Sequence, residues 1–145
     1  MKAEEIMIGD YVQLNGSPYV IEEISKKGWV HMTDPVHNLR VQMSTDYILD
    51  FIEGIPLTSE ILEANGWRSL NNKAWLGLKI GCDEVNIMLG KNYAEIEYLN
   101  MCYNPEDPAE VNYGANFEFP RKVCVHELQH ILRMYDVEKD LKLEP

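Results

Sequence analysis

The apolar residues in the first third of the chain fall into short runs separated by turn residues. The run 11–14 is followed by Asn15-Gly16, which favours a tight hairpin because both positions accept a positive φ. Five short strands within about 45 residues predict a small antiparallel barrel of the SH3-like type, because a flat sheet of that size leaves a face and both edges uncovered. The predicted strands are 11–14, 19–24, 29–32, 39–43 and 47–51.

A different pattern begins after Gly54. Pro56 ends the preceding strand, Thr58 is placed to cap a short helix, and Asn65-Gly66 is placed to stop it. Apolar residues then alternate with polar ones, which predicts an antiparallel meander. The alternating sets are Leu76, Leu78 and Ile80, then Val85, Ile87 and Leu89, then Ile96 and Tyr98.

A helical period covers residues 121–135, after Pro120. One apolar stripe on this helix contains Cys124, Leu128, Ile131, Leu132 and Tyr135. Leu141 and Leu143 alternate with charged residues and predict a short edge strand. The sequence therefore predicts an α+β protein. A barrel module at 1–54 and a helix, meander and C-terminal helix module at 55–145 are expected to share an interface.

The net charge, the lack of long apolar runs and the spacing of the cysteines each disfavour particular classes of protein. The 145-residue chain carries a net charge of −11, and its acidic residues are spread over both modules, so non-specific binding to nucleic acid is disfavoured. No apolar run is long enough to cross a bilayer, and the first residues are acidic, so we expect a cytoplasmic protein without membrane contact. Cys82, Cys102 and Cys124 lack paired spacing and are expected to be reduced thiols.

The sequence His126-Glu127-Leu128-Gln129-His130 matches the zinc-peptidase pattern HExxH. In that chemistry two imidazoles hold the ion and the glutamate activates a bound water. His126 and His130 would be the zinc ligands, Glu127 the catalytic base and Asp136 the third ligand. Asp136 stands where an HExxHxxGxxD-type metzincin places its carboxylate ligand, but Arg133 occupies the glycine position of that longer pattern. On a helical wheel both histidines point away from the apolar stripe, so the motif is interpreted as the polar face of a packing helix, without metal or cofactor.

Aromatic residues of the predicted barrel form a second candidate site. Small barrels often bind ligands on an aromatic face. Together with the long loop at 103–116, this face is the alternative hypothesis of a small-ligand or nucleotide site. The residues concerned are Tyr11, Tyr19, Trp29, His31 and Tyr47.

Three blocks of the sequence carry a resemblance: KAEEIMIGDYV at 2–12, IPLTSEIL at 55–62 and VHELQH at 125–130. They resemble a family of small uncharacterised proteins of Bacteroidetes and their phages or prophages. Those proteins open with K-A-x-E-L-x-I-G-N/D-x-V, continue with I-P-L-T-E-E-x-L and close with V-H-x-L-Q-N-L. The resemblance implies no activity, and at positions 127 and 130 the family often has Gln and Asn. We therefore expect a non-enzymatic binding or accessory protein of a mobile element or phage, acting through protein contacts on an acidic surface.

Overall fold

The computed structural model describes residues 5–48, 50–70, 74–100 and 113–143. The α+β class is confirmed, with two antiparallel sheets of five strands each. The chain divides into two compact units, of which the first contains 1–56, 124–130 and 143–145 and the second contains 57–123 and 131–142. The elements are β1 Tyr11–Leu14, β2 Ser17–Ile24, β3 Trp29–Thr33, β4 Arg40–Ser44, α1 Thr45–Ile48, β5 Ile52–Gly54, α2 Ser59–Ala64, β6 Arg68–Ser69, β7 Trp75–Ile80, β8 Asp83–Leu89, β9 Ala94–Asn100, β10 Tyr113–Phe119 and α3 Val125–Met134.

The first sheet has the strand order β4-β3-β2-β1-β5. Its first hairpin turns at Asn15 and Gly16, which both have positive φ, as predicted. The long strand β2 shifts register between Ile21 and Glu23, a bulge that bends the strand. One face of the sheet buries an apolar core made of Ile6, Val12, Ile21, Val30, Met32, Ile48 and Ile52.

The first sheet differs from the predicted barrel in two respects. Among the described strands it is open, with β4 and β5 at its two ends, so a closed SH3-like barrel is not shown. The strand predicted at 47–51 was wrong: residues 45–48 form the helical turn α1, and the last strand is 52–54. Ile48 is fully buried in the core from this turn. The segment 47–51 is too short for its apolar period to show whether it forms a helical turn or a strand.

The second sheet contains the predicted meander as β7, β8 and β9, with strands in the order β10-β9-β8-β7-β6. The two outer strands were not predicted, and β10 begins at 113, inside the segment expected to be a loop. Directly paired residues share a face of the sheet, because side chains alternate along a strand. Val85 pairs with Tyr98 and Ile87 pairs with Ile96, and all four side chains are buried. The intervening pair, Asn86 and Glu97, therefore lies on the opposite face of the sheet.

The predicted helix α2 has the predicted ends. The Thr58 hydroxyl accepts a hydrogen bond from the Ile61 N–H at 3.2 Å, which caps the first turn. The helix stops at Gly66, whose φ is +103°, while the N–H of Trp67 donates to the carbonyl of Leu62. A left-handed residue at this position lets the chain leave the helix with its last carbonyls hydrogen-bonded.

The C-terminal region contains one predicted element and lacks another. Helix α3 begins at Val125 rather than at 121, and it carries the predicted buried stripe at Leu128, Ile131 and Leu132. The edge strand expected at 141–143 is absent. The Asn65 amide pairs instead with the Lys142 backbone, whose N–H donates to Asn65 Oδ1 at 2.7 Å. None of the helices in the described part of the chain has the length and apolar character needed to cross a membrane.

Candidate functional site

The polar residues of the HELQH motif are packed into the first unit. Helical-wheel reasoning placed the two histidines on the side of α3 away from the apolar stripe, and in the structure that side is largely buried as well. His126 is 6% exposed and Gln129 is 8% exposed. The wheel considers only burial against apolar partners, whereas this face meets backbone groups from residues 9–11, more than a hundred positions earlier in the chain.

Gln129 completes the hydrogen bonding of the chain entering β1. Its Oε1 accepts from the Tyr11 N–H at 2.9 Å, and its Nε2 donates to the Gly9 carbonyl at 3.0 Å. Strand β5 pairs with β1 only as far as Val12 and Gly54, so the Tyr11 amide lies beyond the end of that ladder. The carboxamide of Gln129 therefore takes the place of a strand neighbour for two backbone groups.

His130 is paired with a buried carboxylate. Its Nε2 lies 2.8 Å from Oδ2 of Asp10, which is completely buried, and the same oxygen accepts from the Met7 N–H at 2.7 Å. The Asp10 carboxylate therefore connects the His130 side chain to the backbone of the segment that precedes β1.

Glu127 caps the helix on which it lies. Its Oε1 accepts from the backbone N–H of Cys124 at 3.0 Å, and the Glu127 N–H donates back to the Cys124 carbonyl at 3.1 Å. This is the glutamate half of a capping box, which uses the carboxylate at the third helical position. The sequence did not reveal it, because cysteine stands where serine or threonine normally gives the signal.

His126 fits against a glycine. A β-carbon on Gly54 would lie 2.6 Å from the Cys124 Sγ and 2.9 Å from the His126 Cε1, so only glycine leaves room for these side chains. The buried Nδ1 of His126 has no hydrogen-bond partner. Its ring centroid is 5.7 Å from that of His130.

Burial is the main reason that the pKa of His126 lies below the usual histidine value, and the neighbouring His130 lowers it further. Three carboxylates, those of Asp10, Glu127 and Glu5, act in the opposite direction without cancelling the effect of burial. The imidazole is therefore neutral near pH 7.

We call the four side chains described above, those of Asp10, His126, Gln129 and His130, the anchor.

The part of the chain that the structure describes does not contain the geometry of a zinc site. Within the described residues, no group of three or more histidine, cysteine, aspartate or glutamate side chains is placed to hold a metal ion. Asp136, the suggested third ligand, is exposed and has a φ of +52°. It ends α3: its N–H donates to the Arg133 carbonyl while the Val137 N–H donates to the Leu132 carbonyl, the pattern of a left-handed helix stop.

The aromatic residues of the first sheet do not form one binding face. Tyr19 pairs with the buried Val12 and packs against the core. Trp29 and His31 alternate with the core residues of β3 and lie on the opposite face, together with Tyr11. The side chain of Tyr47 and most of the loop at 103–116 lie outside the described residues, as does Cys102, whereas Cys82 is exposed and Cys124 half-buried.

The second sheet carries a polar surface that sequence reasoning did not select. On the side opposite Val85 and Ile87, four glutamates occupy neighbouring positions of three adjacent strands. Glu95 and Glu118 are directly paired across β9 and β10, an unfavourable arrangement for two like charges. The described strands place two basic side chains on this side of the sheet: Lys79 at its edge across from Glu84, and Arg68 of β6, whose guanidinium donates to the Glu63 and Trp67 carbonyls. We call this surface the acidic face; its carboxylates are those of Glu84, Glu95, Glu97 and Glu118.

Amide and phenol groups partly compensate the acidic face. Glu95 accepts from Asn116 Nδ2 at 2.7 Å and from the Tyr93 hydroxyl at 3.2 Å. Glu97 accepts from Asn86 Nδ2 at 3.1 Å. These donors orient the carboxylates but leave their charges in place.

Comparisons of the chain with protein-family models, with curated proteins and with solved structures found no match.

Proposed function

We propose that this chain is a non-enzymatic binding protein that acts through protein contacts on its acidic surface, as an accessory protein of a mobile element or phage. One observation carries the non-enzymatic part. The glutamate that a peptidase would use as its base is engaged at the start of α3, where Glu127 Oε1 accepts from the Cys124 N–H. A carboxylate that is bound to its own helix end is poorly placed to activate a water molecule.

The sequence blocks behind the family resemblance support the same proposal. Residues 8–12 and 125–130 belong to two of those blocks, and they meet in the anchor through Gln129 and His130. We infer that the resemblance reflects a shared structural requirement rather than a shared catalytic site. The strand order β4-β3-β2-β1-β5, with a helical turn before the last strand, supports an SH3-like architecture for the first unit.

The zinc-peptidase alternative is tested by metal analysis. We expect the purified protein to contain no stoichiometric zinc and to hydrolyse no peptide when zinc is added. His130→Ala is expected to lower stability without changing metal content, since the histidine serves Asp10. Stoichiometric zinc that is lost in His130→Ala would overturn the proposal.

Asp136→Gly separates a helix stop from a metal ligand. Glycine adopts a positive φ without the strain of a β-carbon, so we expect the free energy of unfolding to rise by about 0.5 kcal/mol. Urea denaturation measures this change. Asp140→Gly, at another exposed aspartate without positive φ, is the control and is not expected to stabilise the protein. A loss of bound zinc in Asp136→Gly would favour the alternative.

A further inference from the structure

The acidic face contains a buried acceptor that its own neighbours do not satisfy. Asn86 lies in the middle of this face, paired with Gly77 on one side and Glu97 on the other, and it is 6% exposed. Its Oδ1 is buried and has no hydrogen-bond partner. A buried polar atom in this state costs free energy unless something donates to it, so it marks a place where a donor would be favourable.

The direction of the Asn86 amide is fixed by its neighbour. Its Nδ2 donates to the Glu97 carboxylate, which can only accept, so the amide cannot be reversed without losing that bond. The oxygen therefore points toward Gly77, where a β-carbon would lie 2.7 Å from it. Leu70 lies over this notch and is 37% exposed, and a donor that binds the oxygen would require the leucine side chain to turn outward.

The spacing of the carboxylates matches an extended chain. Glu95 and Glu97 are two residues apart on β9, a rise of about 6.8 Å at the usual 3.4 Å per residue. Alternate side chains of an extended peptide have the same repeat. Basic side chains at every second position of such a segment would meet successive carboxylates along the strand, and they would relieve the repulsion between Glu95 and Glu118.

We propose that the acidic face binds an extended, arginine-containing segment of a partner protein, with one guanidinium placed between the Glu97 carboxylate and the free oxygen of Asn86. A guanidinium has five N–H donors in a planar fork, so one group can serve a carboxylate and an amide oxygen together. A lysine ammonium is a point charge and fits this pair of acceptors less well. This inference rests on the proposed binding function and specifies its surface and its partner chemistry.

Fluorescence anisotropy tests the proposal with a short labelled peptide in which arginine alternates with serine. The matched peptides carry lysine or the uncharged citrulline in place of arginine. At physiological salt we expect the arginine peptide to bind at least tenfold more tightly than the lysine peptide, and the citrulline peptide not to bind. Equal affinity for arginine and lysine peptides, or no binding of either, would overturn the inference.

Two double variants locate the surface. Glu97→Gln with Glu118→Gln removes two charges from the acidic face, whereas Glu53→Gln with Glu63→Gln removes two exposed charges elsewhere. We expect the first to weaken binding at least tenfold and the second less than twofold, with no loss of thermal stability in either. Equal weakening by both would show that only net charge matters and would contradict the proposal.

Asn86→Leu tests the free oxygen itself. It removes the acceptor and the donor to Glu97 while keeping the carboxylates. We expect the preference for arginine over lysine to fall at least fivefold, and an unchanged preference would contradict the guanidinium position. Failure of all peptide tests in a protein without zinc would overturn the partner chemistry alone, because the metal analysis tests the proposed function separately.

Discussion

Two polar clusters in this protein are built in opposite ways. In the anchor, Asp10 and Gln129 are buried and hydrogen-bonded to groups far away in sequence. In the acidic face, Glu95 and Glu118 face each other across two strands, and Glu118 is exposed to solvent. The polar groups of the anchor form hydrogen bonds that hold the first unit together. The carboxylates of the acidic face keep negative charge that the described residues of the sheet do not neutralise.

The sequence alone singles out the HELQH motif and not the glutamates of the second sheet, whereas the hydrogen bonds of the structure favour the opposite choice. The anchor contains the motif that looks catalytic, and the acidic face contains glutamates that look like ordinary surface residues. A motif shows which atoms are near one another in the chain, but the hydrogen bonds decide which of them remain available to a ligand. Availability therefore favours the acidic face over HELQH as the functional surface.

The largest expected effect is on the anchor. Gln129→Leu removes the hydrogen bonds to the Tyr11 N–H and the Gly9 carbonyl, which are both partly buried, and the loss of each such contact costs about 1–2 kcal/mol. We expect the free energy of unfolding to fall by about 3 kcal/mol in urea denaturation. Gln42→Leu, at an exposed position of β4, is the control and should change it by less than about 0.5 kcal/mol. Similar values for both variants would show that the anchor is not a structural contact.

A smaller effect is expected from pH. Burial holds the pKa of His126 below its usual value, so the folded protein binds this proton more weakly than the unfolded chain, whose histidine titrates near about 6.5. The contribution of neutral, buried His126 to the free energy of unfolding is therefore complete above that pH and is lost as the pH falls below it. Stability measured between pH 7 and pH 5 should decline, and His126→Asn should flatten the decline. An unchanged slope in His126→Asn would contradict this assignment.

The smallest effect is expected on the acidic face, and it has the opposite sign. Glu118→Gln removes a like charge facing Glu95, and cross-strand pairs of this kind contribute about 0.2–1 kcal/mol. We expect the free energy of unfolding to rise by about 0.5 kcal/mol at low salt and the gain to shrink at high salt. Glu53→Gln, which faces the neutral Gln13, should show no such salt-dependent gain. A loss of stability in Glu118→Gln would mean that the carboxylate is structural.

Local signals in the sequence were sufficient for the turns and for α2. Asn15-Gly16 turns the first hairpin, Thr58 caps α2, and Gly66 ends it, because each signal acts within a few residues. The alternation from Leu76 to Tyr98 also gave the meander, because side-chain direction follows directly from period two.

The same reasoning could not find the anchor. Asp10, Gly54 and Gln129 are separated by tens of residues, and no periodic pattern relates a buried carboxylate to a histidine 120 positions later. Asp136 at the stop of α3 was missed for a different reason, because an aspartate at positive φ gives a weaker signal than glycine.

The long separation between Asp10 and its helix has a consequence for synthesis. The side chains that bond to Gly9, Asp10 and Tyr11 lie at positions 129 and 130, so about 120 further residues are translated before these contacts can form. The first unit is therefore begun before the second and completed only when residues 124–130 have been made. Contacts of such large sequence separation are expected to form slowly, because a long loop must be closed first.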